Sequence, residues 1–175
     1  MPDQSLKPKQ SLTLAEAKRK IMDLMAISDR SEKQISDKLS GVSEPEILIQ
    51  ALDWMRAQSW NPTPEKLQNH VVENLTRKNK GQTAINEKLK TLGLDTVQIE
   101  PEIELEKAMQ AVENKFDKSE IAEMNFKSAQ KEKSRMLRFL SSRGFDEVIS
   151  DQVLNTYFKN STNDTFNKDI YDEEF

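Results

Sequence analysis

Apolar residues along this chain recur at the spacing of helices. Within residues 132–149, Met136, Leu137 and Leu140 fall on one side of a helix, and Phe139 lies at its margin. No run alternates apolar and polar residues as a half-buried strand would. The pattern predicts an all-α protein.

A glycine is expected to end this helix. Gly144 can adopt the left-handed conformation at a helix C-terminus, because it has no Cβ to clash. Phe145 follows as an apolar plug, and Asp146 can cap a next helix that carries Val148 and Ile149. The segment therefore predicts a helix, a sharp turn and a second helix.

The same pattern occurs twice upstream, in residues 81–95 and, with a shorter tail, in residues 31–43. Aligned on Leu39, Leu89 and Leu140, the three copies lie 50 and 51 residues apart. Repetition at a fixed period is typical of a modular repeat protein. We predict three tandem three-helix modules that form an elongated, curved helical repeat.

Capping signals predict where the other helices begin. A hydroxyl followed three residues later by a carboxylate or amide satisfies the first free amides of a helix, and proline suits the first helical position. The sequence places such signals at Thr13 with Glu16, Ser31 with Gln34, Ser43 with Glu46, and Thr63 with Pro64. A further short helix is expected from about Asp95.

The resulting domain map begins with a disordered leader over residues 1–12. Modules are expected over residues 13–60, 61–102 and 103–159, followed by an acidic disordered tail over residues 160–175. The third module contains an extra helical segment near residues 117–130. This segment is either an insertion or an extension of the following helix.

Composition narrows the class of protein. The 175-residue chain contains no cysteine, which excludes disulfides and thiolate metal sites. No apolar run approaches the roughly 18 residues of a membrane span. We expect a cytoplasmic protein that binds no membrane and no cofactor and is monomeric.

Charge is distributed unevenly. The net charge is −4, and residues 161–175 alone carry five acidic residues against one lysine. The rest of the chain is therefore neutral. The tail is either a solubilising segment or an acidic peptide that competes for basic sites on this protein or on a partner.

A basic stripe is predicted on the helix that precedes Gly144. Lys131, Arg135, Arg138 and Ser142 occur at i, i+4, i+7 and i+11, away from the apolar side. Such a stripe is either an ordinary solvated face or a surface for an acidic partner or phosphates.

Two stretches of sequence resemble the RecX family. Lys80, Gly81, Ile85, Leu89 and Gly93 match its segment K-G-x-x-x-I-x-x-x-L-x-x-x-G-I, where Leu94 takes the final position. Residues 138–145 are similar to its C-terminal R-F-L-x-x-R-G-F. The resemblance covers roughly residues 14–158. Residues 58–67 depart from the family's G-L-L-x-D-x-x-Y/F-A stretch, which indicates either a divergent member or a relative with altered partner choice.

The resemblance implies a non-enzymatic regulator of the RecA recombinase. Family members bind along the RecA filament on single-stranded DNA and usually limit its ATPase, strand exchange and growth, in homologous recombination, DNA repair and the SOS response. A RecA filament is thus the expected partner, with weak single-stranded or duplex DNA binding as an accessory. The candidate partner-binding residues are Arg77, Lys78, Lys80, Lys88, Lys131, Arg135, Arg138 and Arg143.

Other classes of function fit the sequence less well. The single histidine, His70, has no evident second ligand or nucleophile near it in the sequence, and no phosphate-binding loop is present. Catalysis is therefore not expected. A tandem helix-turn-helix-like DNA-binding protein and a helical protein-interaction scaffold remain alternatives, although a duplex reader usually has a basic excess.

Overall fold

The computed structural model describes residues 11–158. Residues 1–10 of the expected leader and the whole expected tail over residues 160–175 lie outside this range, and the prediction that they are disordered falls there too. The described residues form nine helices and no strand, which confirms the all-α prediction. The helices are α1 Leu14–Ile27, α2 Glu32–Leu39, α3 Pro45–Arg56, α4 Pro64–Arg77, α5 Gln82–Leu92, α6 Pro101–Glu113, α7 Lys118–Ala122, α8 Phe126–Arg143 and α9 Glu147–Phe158.

No described helix combines the length and the apolar character needed to cross a bilayer. The described residues separate into two compact units. Unit 1 comprises residues 11–70 and 89–95, and unit 2 comprises residues 71–88 and 96–158. The division falls inside α4 and inside α5. The three-module division stays a prediction.

Unit 1 is built on the packing of α1 against α3 and α2. Their apolar faces form one buried cluster because each helix carries aliphatic residues at helical spacing. The cluster consists of Ala17, Ile21, Ile35, Leu39, Ala51, Leu52 and Met55.

Two of the predicted caps in unit 1 are confirmed. Thr13 with Glu16 and Ser31 with Gln34 form complete capping boxes, in which side chain and backbone bond reciprocally. The prediction for Ser43 is wrong. Helix α3 begins at Pro45 after Glu44, whose side chain makes no capping bond.

Unit 2 is built around α9, which packs against α6, α7 and α8. Its buried cluster combines aliphatic side chains with four aromatic ones. The cluster consists of Ala108, Ala111, Val112, Phe116, Ile121, Met136, Phe139, Leu140, Phe145, Ile149, Val153, Leu154 and Tyr157.

The short helix expected from about Asp95 does not form. The segment between α5 and α6 is extended because side chains of α5 hold its backbone. The Asn86 amide brackets Val97, with its Nδ2 donating to the Val97 carbonyl and its Oδ1 accepting from the Val97 N–H, both at 2.9 Å. The Gln82 side-chain oxygen accepts from the Ile99 N–H. These bonds replace those that a helix would make.

The extra helical segment near residues 117–130 is in part an inserted helix and in part an extension of the following helix. Residues 118–122 form the short α7, whose N-cap Asp117 accepts from the Ser119 N–H. Helix α8 then begins at Phe126, so its first turns extend the predicted helix toward the N-terminus. Ile121 and Ala129 are the residues that this segment buries.

The predicted apolar side of α8 needs one correction. Met136 and Leu140 are buried as expected, but Leu137 is exposed and Phe139 is buried. The ring of Phe139 packs edge-on against Phe116 at 5.5 Å between centroids, which turns this side of the helix inward. Val148 at the start of α9 is likewise exposed.

Candidate interaction surface

The end of α8 meets the start of α5 in unit 2. The Gly81 N–H donates to the Arg143 carbonyl at 2.9 Å, and the Thr83 N–H donates to the Gly144 carbonyl at 3.1 Å. The last free carbonyls of one helix thus accept from the first free amides of another. Both sets of groups would otherwise lack partners within their own helices. We call this contact the glycine joint.

Both glycines of the joint lack the space for a side chain. A Cβ on Gly81 would lie 2.4 Å from the Gly144 carbonyl oxygen, and a Cβ on Gly144 would lie 2.4 Å from the backbone nitrogen of Ala84. Gly144 also has a φ of +83°, in the left-handed region, as predicted for a helix C-cap. The joint therefore requires glycine on both sides.

A buried carboxylate completes the joint. Glu104 on α6 is 4% exposed, and its Oε1 accepts from the Gln82 N–H at 2.7 Å. Burial raises the pKa of Glu104, because removal from water disfavours the charged carboxylate. The Gln82 N–H acts in the opposite direction, since it stabilises the carboxylate.

Arg143 ties the joint to the end of α4. Its Nη1 donates to the Lys78 carbonyl at 2.7 Å and lies 3.5 Å from the Asn79 carbonyl. Its guanidinium also lies over the ring of Phe139, 4.8 Å from the centroid. Arg143 was predicted to bind a partner, and in the structure it makes these internal contacts. The carbonyls that it binds do not neutralise the positive charge of its guanidinium.

Cations and aromatic rings alternate across the adjoining part of unit 2. Lys115 lies over the ring of Phe139, with its Nζ 4.3 Å from the centroid. Arg135 lies 5.5 Å from the centroid of Phe116, and Lys118 lies 5.6 Å from that of Tyr157. Each such contact is attractive by about 0.5–1 kcal/mol at exposed sites. We call Lys115, Lys118, Arg135, Arg143 and their three rings the cation–aromatic strip.

The predicted basic stripe is exposed along α8. Lys131, Arg135, Arg138 and Ser142 all reach solvent. Arg135 also forms an ion pair with Glu132 at 2.9 Å, so part of its charge is balanced locally. The Nε of Arg138 donates to the Ser134 carbonyl one turn earlier, which leaves the rest of its guanidinium available.

The remaining candidate residues lie on α4, α5 and the turn between them. Arg77 and Lys78 are exposed at the end of α4, and Lys80 is half-buried next to the glycine joint. Lys88 is exposed on α5 and has an interaction of its own. The structure brings Lys78 and Arg143 together.

Two cations of the strip were not recognised in the sequence. Lys115 and Lys118 lie in the turn after α6 and at the start of α7, outside any regular stripe. No local sequence signal marks them, because Lys115 lies over Phe139 and Lys118 over Tyr157, both distant in sequence. His70 is exposed on α4, and the described residues contain no cluster of three metal-ligating side chains.

Comparison with known proteins finds a curated relative and solved structures that are similar to this chain. The Regulatory protein RecX of Clostridioides difficile (strain 630) is 27% identical over 155 residues, which cover 79% of this chain and 66% of the relative. The chain thus spans just under two thirds of that relative's length. No protein-family model matches the chain.

The fold is that of RecX crystal structures. A structure of regulatory protein RecX superposes with a TM-score of 0.62 at 18% identity, over 80% of this chain and 72% of that one. RecX from Lactobacillus salivarius superposes with a TM-score of 0.64 at 13% identity, over 82% and 96%.

These findings define the fold class, because the described residues have the all-helical fold of RecX structures. Within that class the resemblance seen in the sequence is confirmed. The chain is similar to a RecX protein in sequence and to RecX structures in fold.

Proposed function

We propose that this protein is a non-enzymatic regulator of the RecA recombinase. It binds along the RecA filament on single-stranded DNA and limits ATP hydrolysis, strand exchange and filament growth. It acts in the cytoplasm, in homologous recombination, DNA repair and the SOS response. The observation that supports this proposal most is the sequence likeness to a named RecX protein over 79% of the chain.

The surface of unit 2 supports a filament contact. The exposed cations Lys131, Arg135 and Arg138 lie along one long helix, and Lys115 and Lys118 lie in the neighbouring segment. Such a surface attracts acidic protein surface or nearby phosphates. Partner binding is therefore assigned to unit 2, with Lys78, Lys80, Arg77 and Lys88 as further candidates.

A repeated architecture suits a filament. In the three-module division that the sequence predicts, successive modules meet successive recombinase subunits, and each interface is individually weak. Several weak contacts made together give an avidity far above that of any one of them.

The test measures ATP hydrolysis by the host's RecA on single-stranded DNA while this protein is titrated in. We expect inhibition below one molecule of this protein per recombinase. The variant Lys131→Ala/Arg135→Ala/Arg138→Ala should weaken that inhibition, because it removes the exposed cations of α8. Its charge-matched control is Arg19→Ala/Lys38→Ala/Lys66→Ala, which removes three exposed cations of unit 1.

The outcomes separate the alternatives. Inhibition that both variants retain keeps the regulatory proposal and assigns the contact to other residues. If ATP hydrolysis is unchanged at saturating protein while a duplex oligonucleotide binds, the proposal fails and the tandem DNA-binding alternative replaces it. If neither RecA nor DNA responds, a helical interaction scaffold is the better description.

A further inference from the structure

The cation–aromatic strip begins where the described chain ends. Helix α9 ends at Phe158, and the ring of its neighbour Tyr157 lies beneath Lys118. Residues 113–118 and Tyr157 line an open groove of about 600 Å³ at this point. The groove contains Lys115, which connects it to Phe139 and so to the rest of the strip.

Three of the strip's four cations have no ion-pair partner among the described residues. Among the described residues, no carboxylate forms an ion pair with Lys115, Lys118 or Arg143. Three carboxylates do lie in this region. Glu132 is paired with Arg135, Asp117 accepts from the Ser119 N–H and hydroxyl, and Glu113 lines the groove.

The sequence that follows Phe158 is complementary to the strip in two ways. Residues 161–175 carry five acidic side chains and one lysine, which oppose the strip's cations. They also contain the aromatic residues Phe166, Tyr171 and Phe175, which are able to pack beside the strip's exposed cations.

We propose that residues 161–175 fold back onto the cation–aromatic strip of the same molecule and occupy it until an anionic partner displaces them. Seventeen residues follow Phe158, and a chain of that length spans up to roughly 56 Å when extended. Attachment through a short connection raises the effective concentration of the segment to about millimolar. Weak contacts thus suffice for docking. This inference goes beyond the proposed function and needs no recombinase.

The direct test uses a spin label attached to an introduced cysteine. Because the chain has no cysteine of its own, the label attaches only at that position. The full chain with Asn167→Cys carries a nitroxide, and amide signals are compared before and after reduction of the label. We expect loss of signal at Lys115, Phe139 and Ala122 or their neighbours at low salt. The loss should disappear in about 1 M salt, where the screening length falls to about 3 Å.

A paired variant tests whether the strip is the docking site. Lys115→Glu/Lys118→Glu should abolish the signal loss, because it reverses two exposed charges of the strip. Lys127→Glu/Lys133→Glu makes the same change of charge at exposed positions of α8 away from the strip, and it should leave the loss intact. If the spin-labelled chain with Lys115 and Lys118 unchanged shows no signal loss at low salt, the proposal is overturned.

Mixed samples test whether docking occurs within one molecule. One set of chains carries the nitroxide and no isotope label, and a second set carries the isotope label and no nitroxide. In this mixture we expect no signal loss at the observed amides. Signal loss in this mixture equal to that of the single-chain sample would overturn docking within one molecule and indicate an exchange between copies. Both measurements omit RecA, so their failure is separate from that of the proposed function.

Occupancy has a consequence for binding that is also measurable. Neutralising the tail's acids as Asn or Gln should increase affinity for a fluorescent oligo-dT severalfold at low salt, and the difference should vanish at high salt. The charge-matched control neutralises exposed acids elsewhere, and it should give a smaller increase. Equal increases in the two variants would show a general effect of net charge and would overturn the competition. The control positions are Asp23, Glu46, Glu65, Glu87 and Glu106.

Discussion

Gly144 has a backbone conformation and a neighbourhood that exclude other residues. Its φ is +83°, and a Cβ there would lie within 2.4 Å of two atoms of Ala84. Gly41 provides a contrast within the same chain. The backbone of Gly41 is not in the left-handed region, and a Cβ there would meet nothing within 4 Å.

Gly144→Ala should therefore lower the free energy of unfolding substantially. Left-handed backbone costs an alanine about 1–2 kcal/mol, and overpacking adds about 1–3 kcal/mol. We expect a loss of about 2–4 kcal/mol in urea unfolding followed by circular dichroism. Gly41→Ala is the matched control and should change stability by less than about 1 kcal/mol. Equal effects at the two positions would contradict the geometry of the glycine joint.

Glu104 gives the stability of the protein a pH dependence. Burial raises the pKa of Glu104 in the folded state above its value in the unfolded chain. Between these two pKa values, the folded state therefore binds more protons than the unfolded state. Stability contributed by this group is fully present below the unfolded pKa of about 4.3 and is lost as pH rises through the folded pKa.

Glu104→Gln should remove that dependence while its side-chain oxygen still accepts from the Gln82 N–H. We expect the variant to gain stability relative to the unsubstituted protein as pH rises from about 4 to 7. Urea unfolding at several pH values measures this difference. Glu106→Gln removes one exposed charge from the same helix and serves as the control. If Glu104→Gln instead loses stability relative to the unsubstituted protein as pH rises, the fold stabilises the charged carboxylate and this prediction is wrong.

At the scale of helices, the start of α3 shows a hydroxyl that does not cap. The Ser43 Oγ is buried and has no hydrogen-bond partner among the described residues, whereas Ser31 forms a complete capping box for α2. The two serines were equivalent candidates in the sequence. Pro45 decides the difference, because it fixes α3 to begin two residues later than Ser43.

Alanine at these two serines should have unequal effects. Ser31→Ala should cost about 1 kcal/mol of stability, since it leaves the Gln34 N–H without its acceptor. Ser43→Ala should be neutral or slightly stabilising, because it removes a polar atom that is buried without a partner. Thermal or urea unfolding of the two variants, measured side by side, checks the order. A larger loss at Ser43 would contradict the structure.

The sequence predicted helices well where local signals decide them. The Thr63–Pro64 start, the Gly144 stop and the Asp146 cap are all confirmed, with the Asp146 carboxylate accepting from the Ile149 N–H at 2.8 Å. It failed where distant side chains decide. The extended segment before α6 depends on Asn86 and Gln82, which lie 11 and 17 positions from the backbone groups that they bind.

At the scale of the whole molecule, the sequence identified most cations of the candidate surface but not what each one contacts. Arg143 binds carbonyls 64 and 65 positions away, and no periodic pattern encodes that separation. Lys115 escaped notice because its position is set by the turn after α6. The net charge was similarly uninformative, since the residues before position 161 are neutral overall and still carry exposed basic surfaces.

The glycine joint also bears on how the family is recognised. The two segments that carry the resemblance are the two sides of a single internal contact. One begins with Lys80-Gly81, and the other contains Arg143-Gly144 near its end. Folding, and not partner choice, is what this signature enforces. Exposed cations beside it can be replaced without disturbing the joint. A chain can thus keep both segments of the resemblance while the cations exposed beside the joint change.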